Sequence, residues 1–243
     1  MQDFFESIKE NFISTFIVEE RWEQLLSGLG ITLLISFFAV ILGIVIGCLI
    51  AIVRSSYETN VKLKKKKSFG DRVIQFLNII CQIYLTVIRG TPVVVQLMIM
   101  YFIIFANSRD SIFAAILSFG INSGAYVAEI IRSGIMSIDK GQFEASRSLG
   151  FNYRDTMIHI ILPQAFKNVL PALGNEFIVL LKETSVAGYV AVQDLTYVAN
   201  LIRSRTYEAF FPLITTAVIY LVLVMILTFF LGKLERRLRN SDH

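Results

Sequence analysis

Histidine and cysteine are nearly missing from the 243 residues, with two of each. His159 and His243 are too few and too far apart to build a catalytic or metal-ligating set, and neither HExxH nor GxSxG occurs. Cys48 and Cys81 both lie inside apolar stretches, which fits small buried side chains and excludes a disulfide framework or a zinc site. The phosphate-cradling pattern GxxxxGK followed by Ser or Thr is also absent, so the chain is not expected to hydrolyse ATP itself. No catalytic residue and no metal ligand is assigned. Charge is scarce too: 17% of positions are charged, against about 25% in an ordinary soluble domain. That scarcity excludes a disordered chain, and a net charge of +4 carried on loop-like clusters does not describe a nucleic-acid binder. What is abundant is apolar: 55% of positions are hydrophobic and 20 are Phe, the composition of a membrane bundle.

Residues 24–53 contain no charge over 30 positions, longer than a hydrocarbon core of roughly 30 Å requires at about 1.5 Å per residue. The segment before it, 1–23, has six acids, among them Asp3, and two bases, the reverse of a secretory leader, so the first span is expected to be retained. After it, 54–72 carries seven bases, including Lys65, against Glu58 and Asp71, which the positive-inside rule places in the cytoplasm. Residues 73–88 are apolar except for a stripe of Gln75, Asn78, Gln82 and Thr86 at spacings of three, four and four. Counting this stretch as a separate crossing would put the basic tail Lys233, Arg236, Arg237, Arg239 outside. Residues 73–107 are therefore read as one amphipathic lead and span, broken at Gly90 and Pro92. Arg109 and Asp110 form an external turn. Spans at about 111–131, 168–192 and 209–232 follow, with a patterned cytoplasmic segment at 132–167. The expectation is an all-α membrane protein, one transmembrane domain over 1–243 with five spans starting near residue 25, N-terminus outside and C-terminus cytoplasmic.

The internal segment holds the most specific pattern. Gly141-Gln142-Phe143-Glu144-Ala145-Ser146-Arg147-Ser148-Leu149-Gly150 is followed after nine residues by Ile160-Ile161-Leu162-Pro163. It spells a helix, a glycine turn and a second helix ending at the proline, an elbow able to dock into a partner's groove. These residues resemble the EAA loop of permease subunits of ATP-binding-cassette importers, with Ser146 in place of the second alanine. Arg89-Gly90-Thr91-Pro92 with Gln96, Asn122-Ser123-Gly124-Ala125-Tyr126 leading to Glu129 and Arg132, and Lys182-Glu183-Thr184-Ser185 are similar to the polar amino acid uptake branch, the last with Glu where Asp is more usual.

The resemblance implies a type I importer permease in a bacterial-type plasma membrane. It would dimerise with a second permease, identical or not, and work with two cytoplasmic ATPases that bind ATP and Mg, and with an extracytoplasmic solute-binding protein. No cofactor is expected on this chain. Glu144, Ala145, Ser146, Leu149, Gly150 and Phe151 would form the coupling elbow. Ionisable groups at membrane depth cost about 2.5–3.5 kcal/mol each, so they face a cavity or each other. Glu176 and Glu183, seven apart, share a helix face. Arg89, Thr91, Pro92, Asn122, Ser123, Glu183 and Thr184 are expected to line a pathway in which Arg89 meets a carboxylate and Glu183 an ammonium. The bland reading is an Arg89–Glu183 or Lys182–Glu183 pair that only neutralises charge. Gln96 and Tyr126 read as packing or interhelical glue, and Glu129 and Arg132 as a local ion pair. The alternative function is an ion-gradient-driven transporter or a channel subunit, which leaves the elbow unexplained.

Overall fold

The computed structural model describes residues 6, 9–62, 64, 66–107 and 110–240, so Asp3, Lys65, Arg109 and His243 lie outside the described residues. Among the described residues every regular element is helical. A π-helical turn Ile13–Ile17 and a 3-10 turn Val18–Glu20 lead into α1 (Arg21–Ser56), which is followed by a π turn Tyr57–Val61. Next come α2 (Phe69–Gly90), α3 (Val93–Ile99) with its π turn Met100–Ile104, and α4 (Ser111–Met136). The elbow consists of α5 (Lys140–Ser148) and α6 (Tyr153–Thr156). Then α7 (Leu162–Glu183), a 3-10 stretch Thr184–Val190, α8 (Leu195–Thr206) and α9 (Phe210–Asn240) complete the chain.

Four helical stretches are long and apolar enough to cross a membrane: Lys9–Thr59, Phe69–Gly90, Ser111–Met136 and Phe210–Leu238. The break expected near 90–92 is present, because Pro92 has no N–H to continue α2 and holds Thr91 extended at φ −121° and ψ 146°. Phe69–Gly90, expected as an amphipathic lead, is long enough to cross by itself. Leu221, Met225, Phe229 and Phe230 stand exposed on α9, as suits a helix in hydrocarbon.

Three expected boundaries move. The helix α4 continues to Met136 and α9 to Asn240, so the basic residues Lys233, Arg236 and Arg237 prolong α9. The helix after the glycine turn does not end at Pro163. A proline inside a helix clashes with the carbonyl four residues back. The chain widens the ladder just before it, in the π turn Met157–Ile161, where Leu162 N–H donates to Met157 O, and helix then continues to Glu183. The segment 132–167 is thus joined to α7 by unbroken helix from Tyr153.

The residues fall into two compact units, each assembled from three stretches of chain. The first comprises Met1–Ala39, Val93–Phe119 and Ile178–Thr228. Its core is Phe16, Leu25, Leu195, Val198, Ala199 and Ile202. Here α8 lies close against α1: the Leu195 amide donates to Thr32 Oγ1 at 3.1 Å, and Ser36 Oγ donates to Thr32 O at 2.8 Å. Asp194, fully buried, caps α8 by accepting from the Thr196 and Tyr197 amides at 3.1 Å.

The second unit comprises Val40–Pro92, Gly120–Phe177 and Phe229–His243. Ile50, Leu85, Ala125 and Ala128 form its core, with Ile46, Cys81, Tyr84 and Ile88 packed on them. Cys48 and Cys81 are half-buried and reduced. The contact of α1 with α4 depends on Gly47, where an added Cβ would come within 2.5 Å of Val127 Cγ1 and 2.8 Å of the Ala128 amide. Such small-residue approach is how helices associate in lipid, which offers no water-driven force.

Candidate functional site

The elbow forms from short-range signals. Asp139 caps α5, its Oδ1 accepting from Gly141 N at 2.6 Å. At the other end Phe151 N–H donates to Ser146 O at 3.1 Å and Gly150 N–H to Arg147 O at 3.0 Å, the paired bonds of a Schellman turn. That turn needs a left-handed residue, and Gly150 supplies it at φ 88°. Asn152 then caps α6 by accepting from Asp155 N at 2.9 Å, and His159 Nδ1 lies 3.1 Å from Asp155 O on the exposed side. Leu149 is 78% exposed and Phe151 41%, two apolar side chains at the tip. Ala145 and Gly150 are exposed beside them, whereas Ser146 turns inward and donates to Gln142 O. Glu144 lines a cavity of about 470 Å³ with Glu58, Arg132, Phe143 and Tyr153. Tyr153 is tied to Thr59 at 2.9 Å, which fixes α6 to the turn after α1.

Beside this cavity lies a ring of four charges. Arg54 reaches Glu129 at 3.3 Å and Glu58 at 3.7 Å; Arg132 reaches Glu58 at 3.9 Å and pairs with Glu129. The Glu129–Arg132 pair was legible from spacing, while Arg54 enters it from the end of α1 and Glu58 from the π turn after it. Their own spacing of four was the available signal.

The expected pathway residues are distributed over both units. Arg89, Thr91, Pro92, Asn122 and Ser123 belong to the second, Glu183 and Thr184 to the first. Arg89 of α2 lies over the Tyr126 ring of α4 at 5.6 Å, so Tyr126 holds two helices together. Thr91 Oγ1 donates to Val87 O at 2.8 Å. Asn122 and Ser123 are buried, and Ser123 Oγ donates to Glu176 Oε1 at 2.9 Å, giving that carboxylate a hydroxyl partner. Thr184, fully buried, donates to Leu181 O at 2.8 Å and has Ser36 Oγ 3.5 Å away; Glu183 is half-buried. A second cavity, of about 550 Å³, is lined by Arg54, Gln82, Thr86, Arg89 and Glu129.

Residues 64–240 match the family described as the binding-protein-dependent transport system inner membrane component. The arginine transport system permease protein ArtQ of Bacillus subtilis is 39% identical over 221 residues, covering 90% of this chain and 94% of that protein. A putative glutamine transport system permease protein GlnP of Rickettsia typhi is 39% identical over 217 residues, covering 88% and 92%. Among solved structures, an amino acid ABC transporter crystallised with histidines superposes with TM-score 0.79 at 39% identity, covering 90% of this chain and 96% of that one. The inward-facing MetNI methionine ABC transporter shares the fold at TM-score 0.72 and 20% identity, covering 89% and 97%.

Proposed function

The chain belongs to the family of binding-protein-dependent transport system inner membrane components and is a permease subunit of an amino acid ABC transporter, and from that premise we propose that it lines an import pathway for polar amino acids driven by separate ATPase subunits seated on the elbow. The carrying observation is the elbow itself. Leu149 and Phe151 are presented on a Schellman turn, and the helix that starts at Tyr153 continues through the π turn to Glu183. A push on the tip would pass along this helix, through the π turn and Pro171, toward the residues that carry Glu176 and Glu183. Closing of the two ATPases on ATP and Mg would bring paired elbows together, and the bundle would answer by alternating access.

In this reading the protein is a multi-pass subunit of a bacterial-type plasma membrane, N-terminus outside, with five spans and a cytoplasmic elbow. It pairs with a second permease and receives solute from an extracytoplasmic binding protein. Arg89, with Thr91, Pro92, Asn122 and Ser123, meets the substrate carboxylate side of the route; Glu183 and Thr184 meet the ammonium side. The glutamine and arginine named for the relatives both fit a route with charges of each sign. The test is reconstitution of the chain with its ATPase and binding protein in vesicles. Loaded binding protein should stimulate hydrolysis, and Leu149→Arg should abolish that stimulation or release the ATPase. Unchanged stimulation in Leu149→Arg would remove the elbow from the mechanism.

A further inference from the structure

Asp71, Asn78 and Leu85 are the buried positions of α2 and lie seven apart, so they form one line along the helix. At about 100° per residue the line on the opposite side is Phe69, Val73, Phe76, Ile80, Ile83 and Val87, at spacings of four, three, four, three and four. All six are exposed. An apolar stripe thus runs along a helix long and apolar enough to cross a membrane. Its first residue is the most open of the six, Phe69 at 83% exposure, and the surroundings of that ring are basic. Lys62, Lys66 and Arg72 are exposed, and Lys67 is half-buried with Nζ donating to Gln75 Oε1 at 2.7 Å, a neutral partner that leaves the charge in place. Asp71, the acid of this stretch, turns inward; its Oδ1 accepts from Lys64 at 2.9 Å and its Oδ2 from the Ser68 amide at 2.9 Å. Among the described residues no carboxylate lies within ion-pair distance of Lys62, Lys66, Lys67 or Arg72. Phe69 and Arg72, three apart, are neighbours on the helix surface. Uncompensated cations therefore stand at the head of an uncovered apolar stripe.

We propose that the start of α2 is a binding surface for an anionic phospholipid. The headgroup phosphate lies among Lys66, Lys67 and Arg72, with Lys62 adding to the local positive field, and an acyl chain follows Phe69, Val73, Phe76 and Ile80. A phospholipid presents charge and then hydrocarbon in the order in which this helix presents cations and then the stripe. The lengths agree: Phe69 to Ile80 covers about 16 Å at about 1.5 Å per residue, close to half of a hydrocarbon core of roughly 30 Å. An acidic protein face would satisfy the cations and leave the Phe69 ring in water. A second apolar helix would cover the stripe and leave the cations unpaired. The bound lipid holds the start of α2 at headgroup level, and so fixes the depth of the helix that carries Arg89 and ends at the Thr91-Pro92 break.

The experiment uses the chain assembled with its ATPase subunits in a non-ionic detergent. The assembly is offered phosphatidylglycerol and phosphatidylcholine of matched acyl chains; bound lipids are counted by native mass spectrometry and melting is followed in parallel. The unaltered assembly should prefer phosphatidylglycerol at least about tenfold, since each base near an anionic headgroup counts for about fivefold, and its melting temperature should rise with phosphatidylglycerol. The triple change Lys66→Gln, Lys67→Gln, Arg72→Gln alters exposed side chains only at the surface. It should lose one bound phosphatidylglycerol and most of the melting rise, while Arg72→Lys keeps both. Phe69→Ser should lower retention of both lipids. A comparison triple in α9, Lys233→Gln, Arg236→Gln, Arg237→Gln, where Glu235 stands among the bases, should leave the α2 lipid bound. Unchanged lipid counts in the α2 triple, or in Phe69→Ser, overturn the assignment. Equal losses in the two triples would mean diffuse attraction to charge and overturn it as well. Release of the ATPase by the α2 triple with lipid counts unchanged would assign the cations to a protein partner instead.

Discussion

Single residues carry much of the local geometry. Gly150 stands at φ 88°, and an added Cβ there meets nothing within 4 Å, so substitution acts by backbone strain rather than collision. Gly150→Ala is expected to cost about 1–2 kcal/mol at the turn and to lower stimulated ATP hydrolysis several-fold while the folded subunit accumulates normally. Hydrolysis rate against expression level measures it. Asp194 is the buried acid outside the spans. Desolvation pushes its carboxyl up to about 6, against which the Thr196 and Tyr197 amide bonds work only in part. A raised acid stabilises the fold while protonated and loses that contribution as pH rises from about 4 through about 6. Asp194→Asn keeps an accepting oxygen for the cap and carries no charge. It is expected to raise the melting temperature at pH 7.5, by an effect on the order of 2–3 kcal/mol, and to give a gain roughly a third as large at pH 4.5. Thermal melts at the two values decide it, and an equal gain at both would contradict the buried-charge account.

Helices and turns show which parts of the fold could be read in advance. The elbow was legible because its instructions are local: Asp139 starts α5, Gly150 ends it and Asn152 starts α6. The break at Thr91-Pro92 was legible for the same reason. Pro163 misled because a widened ladder can absorb a proline, and only the neighbouring turns decide whether the helix stops or bulges. Long-range partners were out of reach. Nothing in the spacing of Arg54 or Tyr126 says that one meets Glu129 and the other underlies Arg89. At this scale the α1–α4 contact is also testable. Gly47→Leu inserts a side chain where even a Cβ lies 2.5 Å from Val127, so it should destabilise the subunit by on the order of 1–3 kcal/mol or more. Gly30→Leu on the same helix, where nothing lies within 4 Å, should be tolerated. Detergent melts of the two variants compare them directly.

For the molecule as a whole, the central claim is that an exposed apolar elbow drives a polar route through the bundle. On the proposed function, the chain supplies lever and wall, and its partners supply the ATP hydrolysis and the solute. Of that route, the sequence disclosed Arg89, Ser123 and Glu183 as candidates. It did not disclose that Ser123 serves Glu176, or that Gln82 and Arg54 border one cavity with Arg89, since those meetings depend on how helices pack. The most direct measurement is amino acid uptake by vesicles holding the full assembly, with ATP supplied on the elbow side and no ion gradient, comparing the unaltered chain with Leu149→Arg. Uptake that requires ATP and binding protein, and falls to background in Leu149→Arg, is the expected outcome. Uptake by this chain alone on an ion gradient, indifferent to ATP and to Leu149, would refute the account.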